Sequence, residues 1–525
     1  MGNSASPASP AQANSYDQVL YPGVSFRQSH PDRLATQAMM FGMSPAPVES
    51  CRVLELGCGS GGNLLPIAFG LPGSECTGID LAARPVEQAQ AKARALGLRN
   101  VTLRQMDLRD IAPGFGTFDY IIAHGLYSWV PADVQRKLLA LCSANLAPQG
   151  VAYVSYNAYP GSHVREMLRG MMLYAARGVD DPRERVSRGL DLIQSLIESL
   201  KPSDPFRVII EPERDRMREV QPESLFHDDF NEFYLPVYFY EFIGRAEGHG
   251  LQYLGEAALA AMWIAQVSLF GQRDLAGLDV IRGEQMLDFR MFRNFRATLL
   301  CHKEVKLDRS LKPERVRPLW ASSAVKPESP APDLTSQAEE TFRLKERKLG
   351  LKVTTNHPLT KAALWLLGSR WPGRMKFNEL EARALEVSQS TREARSGPLL
   401  EQVLLNMYGS QMVELHSHEP ALSERAGERP LASALARLML RQGSYVTNLR
   451  HEGIDLEDEA LRRLILLLDG TRDRTALLEA LKRERASAAS EADRPLNDHA
   501  DPQTADLKKL EESLQKIARM AVLMA

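Results

Sequence analysis

Between residues 51 and 157 the chain alternates short apolar runs with longer amphipathic stretches. The runs at 52–56 (RVLEL), 76–81 (CTGIDL), 101–107 (VTLRQMD), 118–123 (FDYIIA) and 150–156 (GVAYVSY) read as five strands. Strands separated by helices of about 10–15 residues predict parallel βαβ units and a doubly wound α/β sheet. Ligands reach such a sheet beyond the carboxyl ends of its strands, so the polar residues that follow each strand are the first candidates for chemistry. Two further runs, 250–256 (GLQYLGE) and 295–302 (FRATLLCH), read as strands six and seven.

Between strands five and six the pattern is helical over 164–176, 182–200 and 231–247. An insertion that leaves strand five at its carboxyl end lies above the ligand crevice and can cap a substrate. Ser, Pro and Lys dominate 321–337, which reads as an interdomain linker. Beyond it come an alternating run at 342–354, helical stretches at 359–367, 378–386 and 399–408, and a short strand at 412–415. That order suggests a winged-helix-like module. Residues 399–411 carry no Lys or Arg, so a protein-contact role is expected there rather than DNA reading. A polar loop at 485–505 precedes a last amphipathic helix at 507–520. The expected organisation is a disordered tail at 1–13, a core with an N-terminal lid at 14–157, a helical cap at 158–249, and the closing strands at 250–302. A linker at 303–340, a winged-helix-like domain at 341–420 and a mainly helical C-terminal region at 421–525 follow.

The first strand runs into Glu55-Leu56-Gly57-Cys58-Gly59-Ser60-Gly61-Gly62-Asn63. Small residues here let the backbone turn tightly and pass close to a ligand. Gly57, Gly59 and Gly62 fit the dinucleotide pattern G-x-G-x-x-G. Gly57, Gly59 and Gly61, with Glu55 two residues before the first, fit the loop of S-adenosyl-L-methionine (SAM) methyltransferases. Three acids favour SAM. Glu55 stands where a dinucleotide site has an apolar strand residue, and its carboxylate can take the cationic amino group of SAM. Asp80, followed by Leu81, ends the second strand and can accept both ribose hydroxyls, as it could for either cofactor. Asp107 ends the third strand and suits the exocyclic amine of adenine, with Leu108 beside the ring. One such acid alone would read as a solvated loop residue; three at successive strand ends are hard to reach by chance.

Composition narrows the class. The 525 residues carry 64 Lys and Arg against 66 Asp and Glu, a formal charge of −2, which does not suit a strongly basic nucleic-acid binder. Cys51, Cys58, Cys76, Cys142 and Cys301 are odd in number and lack metal-ligand spacing. They argue against a disulfide scaffold or a cysteine-based zinc site and fit a reducing cytoplasm. No apolar run reaches the roughly 18 residues of a membrane span, and no signal peptide is expected. Met1, Gly2 and Ser6 match the myristoylation pattern, but within a Ser/Pro/Ala-rich tail lipidation is not expected.

Residues 51–157 resemble the class I SAM-dependent methyltransferases. A longer match comes from Asn14-Ser15-Tyr16-Asp17, Tyr21-Pro22 and His30-Pro31-Asp32-Arg33-Leu34 before the sheet. It continues with His124-Gly125-Leu126-Tyr127-Ser128-Trp129-Val130-Pro131 after strand four and Ser155-Tyr156-Asn157-Ala158-Tyr159-Pro160-Gly161 after strand five. Together these resemble bacterial methyltransferases that carry a methyltransferase regulatory domain, a group that includes protein-lysine methyltransferases acting on outer-membrane proteins. The resemblance covers about 14–302, and more loosely the C-terminal part around 446–450 and 467–474. It implies SAM as cofactor, S-adenosyl-L-homocysteine as product and a protein-lysine acceptor.

The methyl of a sulfonium is already activated, so in-line transfer needs positioning and exclusion of water, with no metal and no covalent nucleophile. A lysine acceptor must be neutral, which an apolar, aromatic channel favours. His124, Tyr127 and Tyr156 are the candidate catalytic residues, with His124 also against the cofactor; Trp129, Asn157 and Tyr159 are candidate substrate contacts. In the aromatic and acidic stretch at 226–240, Asp228, Asp229 and Glu232 can guide a cationic lysine inward. The plainer alternatives are that the aromatics pack under a lid, that His124 only bonds the backbone, and that 226–240 is a helix cap with core aromatics. Residues 16–42, with Tyr21 and Phe26 ahead of a helix opened around Pro31, are expected to fold over the cofactor. The Asn/Asp-Pro-Pro-aromatic turn of adenine or glutamine methyltransferases is absent after strand four, as is the Pro-Cys pair of cytosine C5 methylation. Two other functions stay open: a small-molecule methyltransferase with appended recognition domains, and a SAM-sensing interaction protein without transfer activity. A protein partner, no nucleic acid and a cytoplasmic location are expected, with the oligomeric state open and a dimer among the options.

Overall fold

The computed structural model describes residues 19–112, 114–268, 271, 277–344, 350–390, 399–488 and 502–525. The tail at 1–13, the motif at 14–17 and most of the polar stretch at 485–505 lie outside the described residues. The apolar runs form β1 (Arg52–Leu56), β2 (Glu75–Asp80), β3 (Val101–Gln105), β4 (Phe118–Ala123) and β5 (Leu146–Asn157). With β6 (Leu251–Glu256) and β7 (Phe295–His302) they make a seven-stranded sheet in the order β3-β2-β1-β4-β5-β7-β6. The first five strands are parallel, and β7 runs antiparallel to both β5 and β6. β4 is buried along its whole length, as a central parallel strand covered on both faces must be. The order reverses between β1 and β4, and there an open α/β sheet leaves its ligand crevice.

Helices Ser162–Ala175, Pro182–Ser199, Pro205–Arg218, Pro222–Asp229 and Phe239–Glu247 lie between β5 and β6. Asp181 and Asp204 accept the first free amides of their helices, and Pro182 and Pro205 stand in the first turns. The first four of these helices bury a core of their own around Leu168, Met172, Ile193, Ile210 and Phe226. The helix expected at 231–247 begins only at Phe239. Pro236 has no amide hydrogen and disfavours helical backbone before it. The chain there runs extended, with Leu235 donating to the Ser128 carbonyl and Val237 bridging Ala158.

Residues 303–340 are not a linker. β8 (Trp320–Ser322) and β9 (Val325–Pro327) lie in that stretch, and β10 (Glu340–Leu344) begins at its end. β9 and β10 form a sheet with β11 (Lys352–Thr355), while β8 pairs with β12 (Met375–Lys376) and β13 (Glu414–His416). The serines that looked loop-like are buried and paired: the Ser322 hydroxyl lies 3.1 Å from His416 Nε2, and Ser323 donates to the Met412 carbonyl at 2.6 Å. Helices Pro358–Arg370, Phe377–Val387 and Leu400–Gly409 pack beside these sheets. The last part holds helix Ala434–Leu440, a hairpin of β14 (Tyr445–Thr447) and β15 (Gly453–Asp455), and helices Glu459–Leu467, Arg474–Ala488 and Pro502–Arg519. Among the described residues no helix is long and apolar enough to cross a membrane.

The arm at 19–42, with helix Pro31–Met40, is clamped by this distant part. Arg27, Arg33 and Arg450 converge on Glu414. The Asp32 carboxylate accepts the amides of Ser417 and His418 and pairs with Arg374 and His416. Burial opposes ionisation of Asp32, yet Arg374 and His416 hold its carboxyl well below the usual range.

Candidate active site: a crevice between sheet and cap

A cavity of about 1420 Å³ opens at the carboxyl ends of β1, β2 and β4. Its walls are the glycine loop, the arm at 21–26 and the cap around 226–233. The loop needs glycine for two different reasons. Gly61 has φ +75, and a Cβ there would come within 2.7 Å of Leu65. A Cβ on Gly62 would overlap the Gly23 backbone, so loop and arm meet main chain to main chain. Gly57 and Gly59 line the cavity, and both also have positive φ.

Asp80 braces the loop, accepting the Gly59 amide at 2.8 Å and the Ala82 amide at 2.9 Å. Leu81 is exposed at the rim of the cavity. Glu55 is buried on the cavity wall. Its Oε1 accepts from Asn63 Nδ2 at 2.7 Å, while Oε2 is buried without a hydrogen-bond partner among the described residues. Burial pushes this carboxyl up to about 8, against the Asn63 hydrogen bond. An orphaned, buried acceptor beside the crevice fits the ammonium of SAM, which would restore its ionised form. Asp107 lies on the wall beside buried Leu108, but its carboxylate also holds Arg109 Nε at 3.1 Å and Nη2 at 2.6 Å. The hydrogen bond from Arg109 keeps this carboxyl below its ordinary value.

His124 faces the cavity between two rings. Phe26 of the arm stacks on it with centroids 3.4 Å apart, and Nδ1 lies 2.8 Å from the Tyr153 hydroxyl. Burial lowers its pKa to about 3, so the imidazole is neutral near pH 7 and adds no charge to the crevice. Trp129 and Asn157 also line the cavity.

Tyr127 and Tyr156 do not line it. Both are fully buried, on the far side of the sheet ends, against Phe242 at 5.1 and 4.2 Å between centroids. The Tyr156 hydroxyl lies 3.0 Å from Thr298 Oγ1, and that of Tyr127 accepts from Arg245 at 3.3 Å. Neighbours on a strand face opposite ways, so with Asn157 on the crevice Tyr156 points into the core. Tyr159 is also outside the cavity lining; it stacks on His163 at 4.1 Å and donates to Glu166 at 3.0 Å. Asp229 is fully buried, away from the cavity, bonded to Arg165 Nε at 3.0 Å and Nη2 at 3.3 Å. Asp228 does line the cavity and meets Arg165 at 3.3 Å. Burial raises its carboxyl, against the pull of Arg165.

Sequence reasoning passed over Arg165, Asn63 and His451. Arg165 joins both cap aspartates and lies over the Trp129 ring at 5.5 Å. Asn63 closes the glycine motif and touches Glu55 directly, a position the motif itself could have flagged. His451 reaches Asn63 Oδ1 at 2.8 Å from 388 residues away, and no local signal marks it.

The sheet order, the glycine loop and the acids at successive strand ends define a class I SAM-dependent methyltransferase. The family model "Methyltransferase domain" matches residues 53–150, and "Predicted methyltransferase regulatory domain" matches 221–302. "PKMT, C-terminal winged helix domain" matches 428–522, a segment downstream of the one at 341–420 for which a winged-helix-like module is expected. The uncharacterized protein RP789 of Rickettsia prowazekii is 31% identical over 482 residues, covering 90% of this chain and 86% of that protein. A second protein of the same organism, RP028, is 32% identical over 234 residues, 44% of this chain and 94% of its own length. PKMT2 of Rickettsia typhi, solved with AdoHcy, superposes with a TM-score of 0.86 at 25% identity, covering 96% of this chain and 100% of that one. The chain belongs to the SAM-dependent methyltransferases that combine a methyltransferase regulatory domain with a PKMT-type C-terminal winged helix.

Proposed function

We propose that this enzyme transfers the methyl group of SAM to a lysine side chain of a protein. The observation that carries the reading is the cap wall of the crevice. Asp228 and Glu232 stand there with Trp129, Phe233 and Phe295, opposite the glycine loop, in a cavity larger than a single cofactor requires. Exposed Glu232 on that wall attracts an ammonium, and the aromatic lining favours its neutral form. The likeness to PKMT2 over nearly the whole chain supports the same acceptor class.

In this reading Glu55 takes the amino group of SAM, Asp80 the ribose hydroxyls, and Asp107 with Leu108 the adenine. Phe26 and neutral His124 shield the sulfonium from water. Bound SAM supplies an activated methyl. The lysine nitrogen attacks that carbon in line, the carbon–sulfur bond breaks, and sulfur keeps the electron pair as S-adenosyl-L-homocysteine. The nitrogen then loses a proton to solvent. The helical segment at 158–249 acts as the substrate cap, and the arm at 19–42 as the lid. Tritiated methyl groups from SAM, incubated with enzyme and bacterial lysate, should appear in protein and survive acid hydrolysis as methyl-lysine. Label confined to the small-molecule fraction would overturn the proposal.

A further inference from the structure

We infer that His451, in the turn between β14 and β15, is a positioning residue for the cofactor that acts through Asn63 on Glu55. The inference rests on the reading that Glu55 takes the amino group of SAM. The side-chain amide of Asn63 is the junction. Its Oδ1 accepts the Phe26 amide at 2.9 Å and stands 2.8 Å from His451 Nε2. Its Nδ2 donates to Glu55 Oε1 at 2.7 Å and to Ser29 Oγ at 3.0 Å. A backbone amide can only donate, so the atom facing Phe26 is the oxygen and the orientation of the Asn63 amide is forced. His451 must then donate from Nε2. Its Nδ1 is buried without a hydrogen-bond partner among the described residues, so the one ring proton sits on Nε2. Burial holds the His451 ring down to about 3, so it stays in that form.

The turn is built to present this ring. His451 has φ 60, and its amide donates to the Asn448 carbonyl at 3.0 Å. The Asn448 side chain accepts the amides of Arg450 and Glu452 at 2.9 Å each and donates to the Met520 carbonyl at 3.0 Å. The imidazole thus reaches Asn63, on the wall of the cofactor crevice, from a turn anchored on the end of the last helix. Two donors on Asn63 Oδ1, from Phe26 and His451, fix the amide that aims Glu55. Removing the ring donor frees that amide and loosens the carboxylate that the ammonium needs.

The test is calorimetry on the full chain with two ligands. S-adenosyl-L-homocysteine carries the amino group; 5′-methylthioadenosine shares the nucleoside and sulfur but lacks it. His451→Ala should weaken S-adenosyl-L-homocysteine about five- to tenfold, the range of one hydrogen bond, and leave methylthioadenosine unchanged. His451→Gln, whose amide can donate to Asn63, should recover most of the loss. His451→Asn tolerates the left-handed backbone and is too short to reach Asn63, so it serves if the Ala variant does not fold. Equal weakening of both ligands, or no weakening of either, would overturn the inference. Glu55→Gln should show the same selective loss. If it does not, the reading of Glu55 fails, whatever His451 does.

Discussion

Glu55 on the sheet wall of the crevice and the aspartates of the cap are held by different means. On the sheet side Glu55 rests on one side-chain amide, although Asp107 on the same side is matched to Arg109. On the cap side Asp228 and Asp229 share the guanidinium of Arg165. A carboxylate supported by neutral donors keeps its attraction for a cation or a hydroxyl, whereas one matched to arginine has most of its field cancelled. Glu55 on the sheet wall is therefore poised for a ligand. The cap wall is mainly an internal joint, from which Asp228 and Glu232 reach the cavity.

Substitutions can break that contrast, and the largest effect belongs to Asp80. Asp80→Ala removes both the brace of the glycine loop and the acceptor proposed for the ribose, and SAM affinity should fall roughly a thousandfold, about two charge-assisted hydrogen bonds. Calorimetry giving less than a tenfold loss would remove Asp80 from the binding set. Asp229→Asn should act on the other wall and on stability instead. Uncoupling a fully buried partner of Arg165 should cost about 3 kcal/mol in denaturant unfolding, with SAM affinity within about twofold of the parent.

Glu55→Gln comes next, at about tenfold in SAM affinity for one charge-assisted contact. It also carries a pH signature. In the free protein Glu55 holds its proton up to about pH 8. An ammonium beside it favours the carboxylate, so binding releases that proton and affinity rises as pH goes up, over about pH 6 to 7.5. The Gln variant should be flat over that interval; an equal slope in both proteins would show that Glu55 is not the titrating group. The smallest effect is expected for Tyr156→Phe. Its hydroxyl meets Thr298 in the core, so stability should drop by about 1 kcal/mol while turnover stays within about twofold. A large loss of turnover with normal stability would return Tyr156 to the reacting centre.

The sheet was legible because its signals are local. Each strand is a compact apolar run, and the acids that matter directly follow or close those runs, as Glu55, Asp80 and Asp107 do. Tyr127 and Tyr156 look like crevice residues by type, but residue type carries no strand phase. Tyr156 and Asn157 are consecutive on β5 and cannot both face one crevice. The stretch at 303–340 reads as a linker because Ser and Pro are also the residues of short strands whose hydroxyls find partners across the sheet. Arg165, Asp228 and Asp229 show the limit of composition: an acidic cluster looks free until the arginine that neutralises it is placed in space. His451 was invisible for a different reason, since its partner lies in another unit of the chain and no spacing rule spans that separation.

The clamp on the arm also imposes an order on synthesis. Asp32 leaves the ribosome early, and Arg374, which secures it, follows 342 positions later. The seven strands of the main sheet are complete by His302, before any of these distant partners has been made. A half-translated chain therefore holds the whole main sheet while its N-terminal arm still lacks the partners that will anchor it.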